Sequence, residues 1–86
     1  MLNRQPAPLS IKQRIRGFIA QRLSSRSFGD RDSFSKGGII DSTGVLELVA
    51  FIESEFSISI GSEEMKPANL DSLASLETFI QRKTTV

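Results

Sequence analysis

Apolar side chains recur at helical spacing in three stretches of the chain, and polar or turn-forming residues separate these stretches. In the first stretch, Ser10 and Gln13 form a capping-box pair that predicts the start of a helix. The apolar stripe of this helix comprises Ile11, Ile15, Phe18, Ile19 and Leu23. Arg22 falls near the middle of the stripe. Either the helix leaves the core there, or the arginine stem lies along the stripe with its charge in water.

A second helix is predicted from about Ser42 to Phe56, after a glycine-containing turn and the apolar pair Ile39 and Ile40. Asp41 or Ser42 can cap it, because each side-chain oxygen can accept from the unpaired amides of the first turn. A turn of about 100° per residue places five residues on its inner face. They are Val45, Leu48, Val49, Ile52 and Phe56.

The remaining segments predict short elements and a final helix. Residues 57–60 alternate polar and apolar positions, and without a second strand to pair with they are interpreted as an extended segment that anchors Ile58 and Ile60. Residues 62–65 predict a short turn, and Pro67 suits the first position of a brief helix that reaches residue 70. The final helix is predicted to start at residue 71 or 72 and to fray from Gln81 onward. Its apolar side comprises Leu73, Leu76, Phe79 and Ile80.

A long connection, residues 24–38, joins the first two helices and is rich in serine, glycine and charge. Loops of this length are uncommon in small domains unless they are functional or internally packed. Phe28 and Phe34 are therefore predicted to pin the loop against the helices. The whole pattern predicts an all-α fold, a small antiparallel four-helix bundle with three longer helices and one short helix. Residues 10–83 are predicted to form the domain, residues 1–9 a flexible tail and residues 84–86 a frayed C-terminus.

The composition of the chain excludes several kinds of chemical site. The 86 residues include no cysteine and no histidine, which excludes disulfides, thiolate metal sites and a histidine general base. The carboxylates are spread over helix faces, so neither a metal site nor an enzyme is expected. No apolar run is long enough to span a bilayer, and the first eight residues lack the apolar middle of a signal peptide. We therefore expect a cytoplasmic protein without stable membrane insertion, and a monomer by default.

Charge is divided unevenly between the two halves of the chain. Residues 1–36 contain eight Lys/Arg and two Asp, a balance of +6, whereas residues 37–86 contain eight Asp/Glu and three Lys/Arg, a balance of −5. The acidic half predicts a partner with a basic docking face. The basic first helix could be a nucleic-acid or acidic-membrane patch, or a solvated face. The absence of accompanying aromatic side chains for base stacking favours the solvated face and no nucleic-acid partner.

The segment from Gly38 to Ser42, with the helix that follows, resembles the modification-site helix of acyl carrier proteins. Three runs carry the resemblance: Gly38-Ile-Ile-Asp-Ser42, Val45-Leu-Glu-Leu-Val49 and Phe51-Ile-Glu-Ser-Glu-Phe56. The order of Ile58-Ser-Ile60, Glu63-Glu-Met65, Pro67 and Leu70-Asp-Ser-Leu73 also follows the family. The resemblance covers residues 37–80 well, and the first helix only by pattern. It implies that Ser42 carries 4'-phosphopantetheine and that Asp41 presents a carboxylate to the phosphopantetheinyl transferase.

The resemblance also implies how such a protein works. The domain catalyses nothing itself; it holds acyl intermediates as thioesters and shuttles them between enzymes of fatty acid, specialised lipid or polyketide synthesis. Leu46 lies off the core stripe among carboxylates, which fits a docking surface for an acyl ligase or synthase, although a lone exposed leucine is normal. The predicted docking residues are Thr43, Leu46, Glu47, Ala50 and Glu53. Those predicted to line an acyl pocket are Val45, Leu48, Val49, Ile58 and Leu73.

Departures from the family pattern leave alternatives open. Thr43 stands where a leucine is most common, and Gly44 is expected to let a partner or the arm approach closely. The basic first helix is unlike the acidic helices of many family members. A peptidyl, D-alanyl or aminoacyl carrier is therefore an alternative, and a non-carrier helical interaction domain is a second. The cargo, the pathway and the cognate enzymes do not follow from the residues.

Overall fold

The computed structural model describes residues 10–24 and 26–84, and all regular secondary structure within these ranges is helical. The predicted N-terminal tail and the last two residues lie outside them. The described residues form four α-helices: α1 (Ile11–Phe18), α2 (Ser42–Phe56), α3 (Pro67–Leu70) and α4 (Leu73–Thr84). The prediction of an all-α chain with three longer helices and one short helix is confirmed.

The first helix begins with the predicted capping box. Ser10 Oγ accepts from the Gln13 amide at 3.1 Å, and Gln13 Oε1 accepts from the Ser10 amide at 2.9 Å. After α1 the chain continues as a wider π-helical turn over Ile19–Leu23, which closes with a bond from the Ser24 amide to the Ile19 carbonyl at 2.8 Å. This winding brings Leu23 closer into line with Ile19 and turns Arg22 away from the core, so the arginine is exposed.

Among the residues that the structure describes, fourteen buried apolar side chains form one core that includes residues of all four α-helices and of the connecting segments. They are Ile15, Ile19, Phe34, Ile39, Ile40, Leu48, Val49, Ile52, Ile60, Leu70, Leu73, Leu76, Phe79 and Ile80. Helix α4 packs against both α1 and α3, and α1 also packs against α2. On the rim of the core the rings of Phe18 and Phe51 stack with their centroids 4.2 Å apart. The predicted inward faces of the three longer helices are thus the ones that pack.

The connection before α2 is hydrogen-bonded to Asp71, which lies between α3 and α4. The Phe34 side chain is almost fully buried, and its amide donates to the Asp71 carbonyl at 2.8 Å. The Asp71 carboxylate accepts from the Ser33 and Ser35 hydroxyls and from the Ser35 amide. Phe28 packs edge-on against Phe34 with ring centroids 5.6 Å apart. The prediction that two phenylalanines pin this segment is confirmed, and the serines add a polar fastening.

Three basic residues of α1 bind carboxylates of the same chain. Lys12 Nζ lies 2.8 Å from Asp30 Oδ2, and Arg16 Nη2 lies 2.6 Å from Asp30 Oδ1. Arg14 Nη1 lies 3.5 Å from Glu55 Oε2. The hydrogen bond from Lys12, together with Arg16, holds the pKa of Asp30 below its ordinary value. Three cations of this helix therefore tie α1 to the loop and to α2 rather than forming a free basic surface.

The final helix runs to Thr84, beyond the point at which the sequence predicts fraying. Lys83 Nζ bonds Glu64 Oε1 at 2.9 Å, and Thr84 Oγ1 donates to the Ile80 carbonyl at 2.9 Å. These contacts satisfy groups of the last turn that would otherwise depend on solvent. The prediction that fraying begins at Gln81 is therefore wrong for residues 81–84. At the other end, Ser72 Oγ accepts from the Ser75 amide and caps the helix.

Acid is expected to weaken the loop fastening at Asp71. Partial burial pushes the pKa of Asp71 up, but the hydrogen bonds from Ser33 and Ser35 outweigh it, and the pKa lies below its ordinary value of 3.8. A lowered pKa means that the ionised carboxylate stabilises the fold above pH 3.8, and that this contribution is lost as pH falls through the folded-state value. Asp71→Asn is expected to cost about 1 kcal/mol at pH 7 and less at pH 3, which lies below the ordinary pKa of 3.8. Urea denaturation at both pH values measures this.

Glu63→Gln is the control for the Asp71 prediction, because Glu63 is exposed. Its effect on the free energy of unfolding is expected to stay small at both pH values. An Asp71→Asn effect of equal size at pH 7 and pH 3 would contradict the assignment.

Candidate functional site

The chain reaches the predicted attachment serine through a tight turn that buries two residues and then exposes three. Gly38 has φ +65°, a left-handed conformation that glycine adopts without steric cost. The Ile39 and Ile40 amides both donate to the Phe34 carbonyl, and both side chains are buried. Asp41, Ser42 and Thr43 are exposed. Two anchored isoleucines thus hold Ser42 at the protein surface.

Asp41 is the N-cap of α2, and Ser42 is its first helical residue. Asp41 has an extended backbone, and its Oδ1 accepts from the Gly44 amide at 2.7 Å. The sequence left the choice of cap open between Asp41 and Ser42, and the structure assigns it to Asp41. Because the aspartate satisfies the amide of the first turn, the Ser42 hydroxyl is not needed for capping.

A groove of about 370 Å³ opens beside Ser42, between the π-helical turn and the start of α2. It is lined by residues 22–24 at the end of the π-helical turn and by residues 38–41, 43, 44 and 47 before and within the start of α2. Arg22 contributes the basic side chain, and Asp41 and Glu47 contribute the acidic ones. The sequence marked Arg22 as a misfit in the apolar stripe but did not connect it with this groove, because the contact depends on the π-helical turn.

Gly44 is buried, and internal packing accounts for the glycine. A Cβ on this residue would lie 2.8 Å from Ile40 Cγ2 and 3.2 Å from Asp41 Oδ1. Any larger side chain would therefore press on both the anchor and the cap of the site. The expectation that Gly44 serves close approach by a partner or an arm is not needed to explain this residue, although Gly44 also borders the groove.

Gly44→Ala is expected to destabilise the protein by about 1 kcal/mol, even though alanine is the better helix former by about the same amount. The buried, β-branched Ile40 must shift to admit the new methyl group. Gly17→Ala in α1 is the matched control, because a Cβ there would meet no atom within 4 Å. That variant is expected to gain about 0.5–1 kcal/mol. Equal stabilisation by both substitutions in urea denaturation would contradict the packing argument.

The predicted docking residues lie along α2 from its first turn onward. Thr43, Leu46, Glu47 and Ala50 are exposed, and Leu46 keeps 63% of its surface accessible. Glu53 differs from the others because it is half-buried and its Oε2 accepts from the Ile60 amide at 2.8 Å. The structure therefore brings four of these side chains to the surface and gives the fifth a contact inside the protein.

The predicted pocket residues occupy different depths. Leu48 and Leu73 are at most 1% exposed and belong to the packed core, together with Val49. Ile58 is half-buried at the rim. Val45 lines a hollow of about 210 Å³ with Met65, Leu70 and four other residues. The sequence did not single out Met65 and Leu70 for this role, since the hollow arises where α3 packs beside the start of α2.

Within residues 10–24 and 26–84, no cluster of three or more acidic side chains is arranged to bind a metal ion. In the same residues, no helix has the length and apolar character needed to cross a membrane.

Comparison with known proteins identifies one informative relative. No model of a known protein family matches the chain. The chain is 39% identical over 44 residues to a protein described as "Probable acyl carrier protein PigG" from Serratia sp. (strain ATCC 39006). The alignment takes in 51% of this chain and 51% of the Serratia protein, so the chain spans about half the length of the curated relative it matches. Over that half the resemblance to the acyl carrier protein family, which the sequence motifs indicated, is confirmed.

Proposed function

We propose that this protein is a carrier that holds acyl intermediates as thioesters on a 4'-phosphopantetheine arm attached to Ser42. The observation that carries the proposal is the exposure of Ser42 at the start of α2, with its hydroxyl not needed for capping. The likeness to a probable acyl carrier protein supports the same role. The chain itself performs no catalysis in this proposal, and it serves enzymes of fatty acid, specialised lipid or polyketide synthesis.

The site fits the group that the proposal requires. A phosphopantetheinyl transferase would join Ser42 Oγ to the phosphate next to pantetheine in coenzyme A, and the adenosine bisphosphate half would leave. The exposed hydroxyl leaves room for this enzyme, and the adjoining groove leaves room for the arm. When attached, the arm supplies the reactive thiol that a chain without cysteine lacks. A flexible tether also raises the effective concentration of its cargo at each docked enzyme.

The exposed stripe of α2 is the proposed docking surface for the transferase and for an acyl ligase or synthase. Leu46 supplies an apolar centre, and Glu47 supplies a carboxylate at its edge. A partner with a basic rim around an apolar pocket would match this surface. Thr43 and Ala50 extend the stripe in both directions. Glu53 contributes less in this proposal, since its carboxylate already binds the Ile60 amide.

The hollow beside Val45 is the proposed entry for the acyl end of the cargo. It is lined by Val45, Met65 and Leu70 on its apolar side. Deeper insertion would have to separate Leu48 and Leu73, which are packed in the core. Short cargo therefore needs no change in the core, whereas a long chain would need the helices to open.

Intact-mass analysis tests the carrier proposal. The purified protein is incubated with a broad-specificity phosphopantetheinyl transferase and an acyl-coenzyme A, so that the arm is transferred with its acyl group. We expect one acylated arm per chain, and release of the acyl group by hydroxylamine because it is held as a thioester. An unmodified protein after complete modification of a reference carrier in the same reaction would contradict the proposal.

A further inference from the structure

The cations of the first helix divide into two groups when their contacts are compared. Lys12 and Arg16 bind Asp30, and Arg14 binds Glu55. Arg22 has no carboxylate within ion-pair distance among the residues that the structure describes. It is exposed, and its side chain lines the groove beside Ser42. Arg22 is therefore the basic residue of this helix that remains available to a ligand at the site.

The carboxylates around the groove repel a phosphate, so a phosphate that binds there needs a cation beside it. Asp41 and Glu47 both line the groove, and Asp41 already uses one oxygen to cap α2. A phosphodiester on Ser42 adds a negative charge next to these carboxylates, and like charges at short range repel. A guanidinium offers several N–H donors in a plane that matches two phosphate oxygens. Arg22 lines the same groove as these carboxylates and can supply that compensation.

Resting on the function proposed above, we propose that Arg22 binds the phosphodiester of the arm attached to Ser42. This contact holds the first part of the arm in the groove. Arg22 then acts as a positioning residue that sets where the arm leaves the domain. The role follows from the π-helical turn, because that turn directs Arg22 out of the core stripe while Leu23 stays in it. The contact consists of charge-assisted hydrogen bonds, so it weakens when salt competes for the guanidinium.

Arginine side-chain NMR of the wild-type protein before and after modification tests this inference. The Nε–Hε resonance of Arg22 is expected to shift several-fold more than that of Arg31, an exposed loop arginine that does not line the groove. Mass spectrometry of the same sample separates the two proposals. If no arm is added, the proposed function fails; if the arm is added and Arg22 shifts no more than Arg31, the phosphate contact is wrong and the carrier function stands.

Variants give a second readout from the phosphate itself. The ³¹P resonance of the modified protein is expected to move in Arg22→Gln, to stay near the wild-type position in Arg22→Lys and to stay unchanged in Arg31→Gln. Added salt is expected to move the wild-type resonance toward the Arg22→Gln position. Identical ³¹P spectra for Arg22→Gln and wild type would overturn the inference, even where both proteins are fully modified.

Discussion

Ser42→Ala is expected to abolish attachment of the phosphopantetheine arm without changing the stability of the domain. The substitution removes the proposed nucleophilic oxygen, but it leaves the cap of α2 in place because Asp41 Oδ1 accepts from the Gly44 amide. Ser42 is also exposed, so the lost hydroxyl leaves no cavity. The free energy of unfolding is expected to stay within about 0.5 kcal/mol of wild type. Intact-mass analysis after incubation with transferase and coenzyme A measures the loss.

Ser54→Ala provides the matched control for this prediction. Ser54 is an exposed serine on the same helix and lies 12 residues after Ser42. The control is expected to gain one arm as completely as wild type. Modification of Ser42→Ala would show that the arm is attached to another residue. Equal loss of modification in both variants would show that the substitutions impair docking of the transferase, and that the Ser42 hydroxyl is not the cause.

Phe34→Ala is expected to destabilise the protein by about 3–5 kcal/mol, the largest stability effect that we predict. The ring is 1% exposed and contacts the core from a segment without helical structure. Its backbone joins three parts of the protein, because its amide bonds Asp71 and its carbonyl accepts from Ile39 and Ile40. Natural domains are stable by only about 5–15 kcal/mol, so this variant should be close to unfolding. Urea denaturation followed by circular dichroism measures the loss.

Phe28→Ala is the control that distinguishes the stability lost with the buried Phe34 ring from the stability lost with any aromatic side chain of this loop. Phe28 packs against the same ring but is half-buried, and it also lies under the Arg16 guanidinium at 4.6 Å. We expect a clearly smaller loss of stability for this variant than for Phe34→Ala. A loss below about 1 kcal/mol for Phe34→Ala would mean that the loop is not part of the core that positions Ser42.

The features that could be predicted from the sequence are those decided by near neighbours in the chain. The Ser10–Gln13 capping box and the bounds of α2 depend on residues three or four positions apart, and both agree with the structure. The exposure of Leu46 follows from the same helical periodicity. Phe34 could be placed inside because a large aromatic side chain in a polar loop has few other stable positions.

The features that could not be predicted depend on contacts between distant residues. Asp30 binds Lys12 and Arg16, which lie 18 and 14 positions away, and no local sequence pattern predicts these ion pairs. The sequence therefore leaves two interpretations of the basic helix, a binding patch or a solvated face, whereas three of its charges form ion pairs with carboxylates of the same chain. In the same way, the internal role of Glu53 depends on how the chain returns at Ile60.

Locating the arm by fragmentation mass spectrometry tests the central claim most directly. The modified wild-type protein is digested, and the peptide that carries phosphopantetheine is fragmented to identify the esterified residue. If Ser42 is the exposed anchor of a carrier, the added mass lies on Ser42 in every modified peptide. An arm on a different serine or threonine, or no arm after complete modification of a reference carrier, would contradict the account.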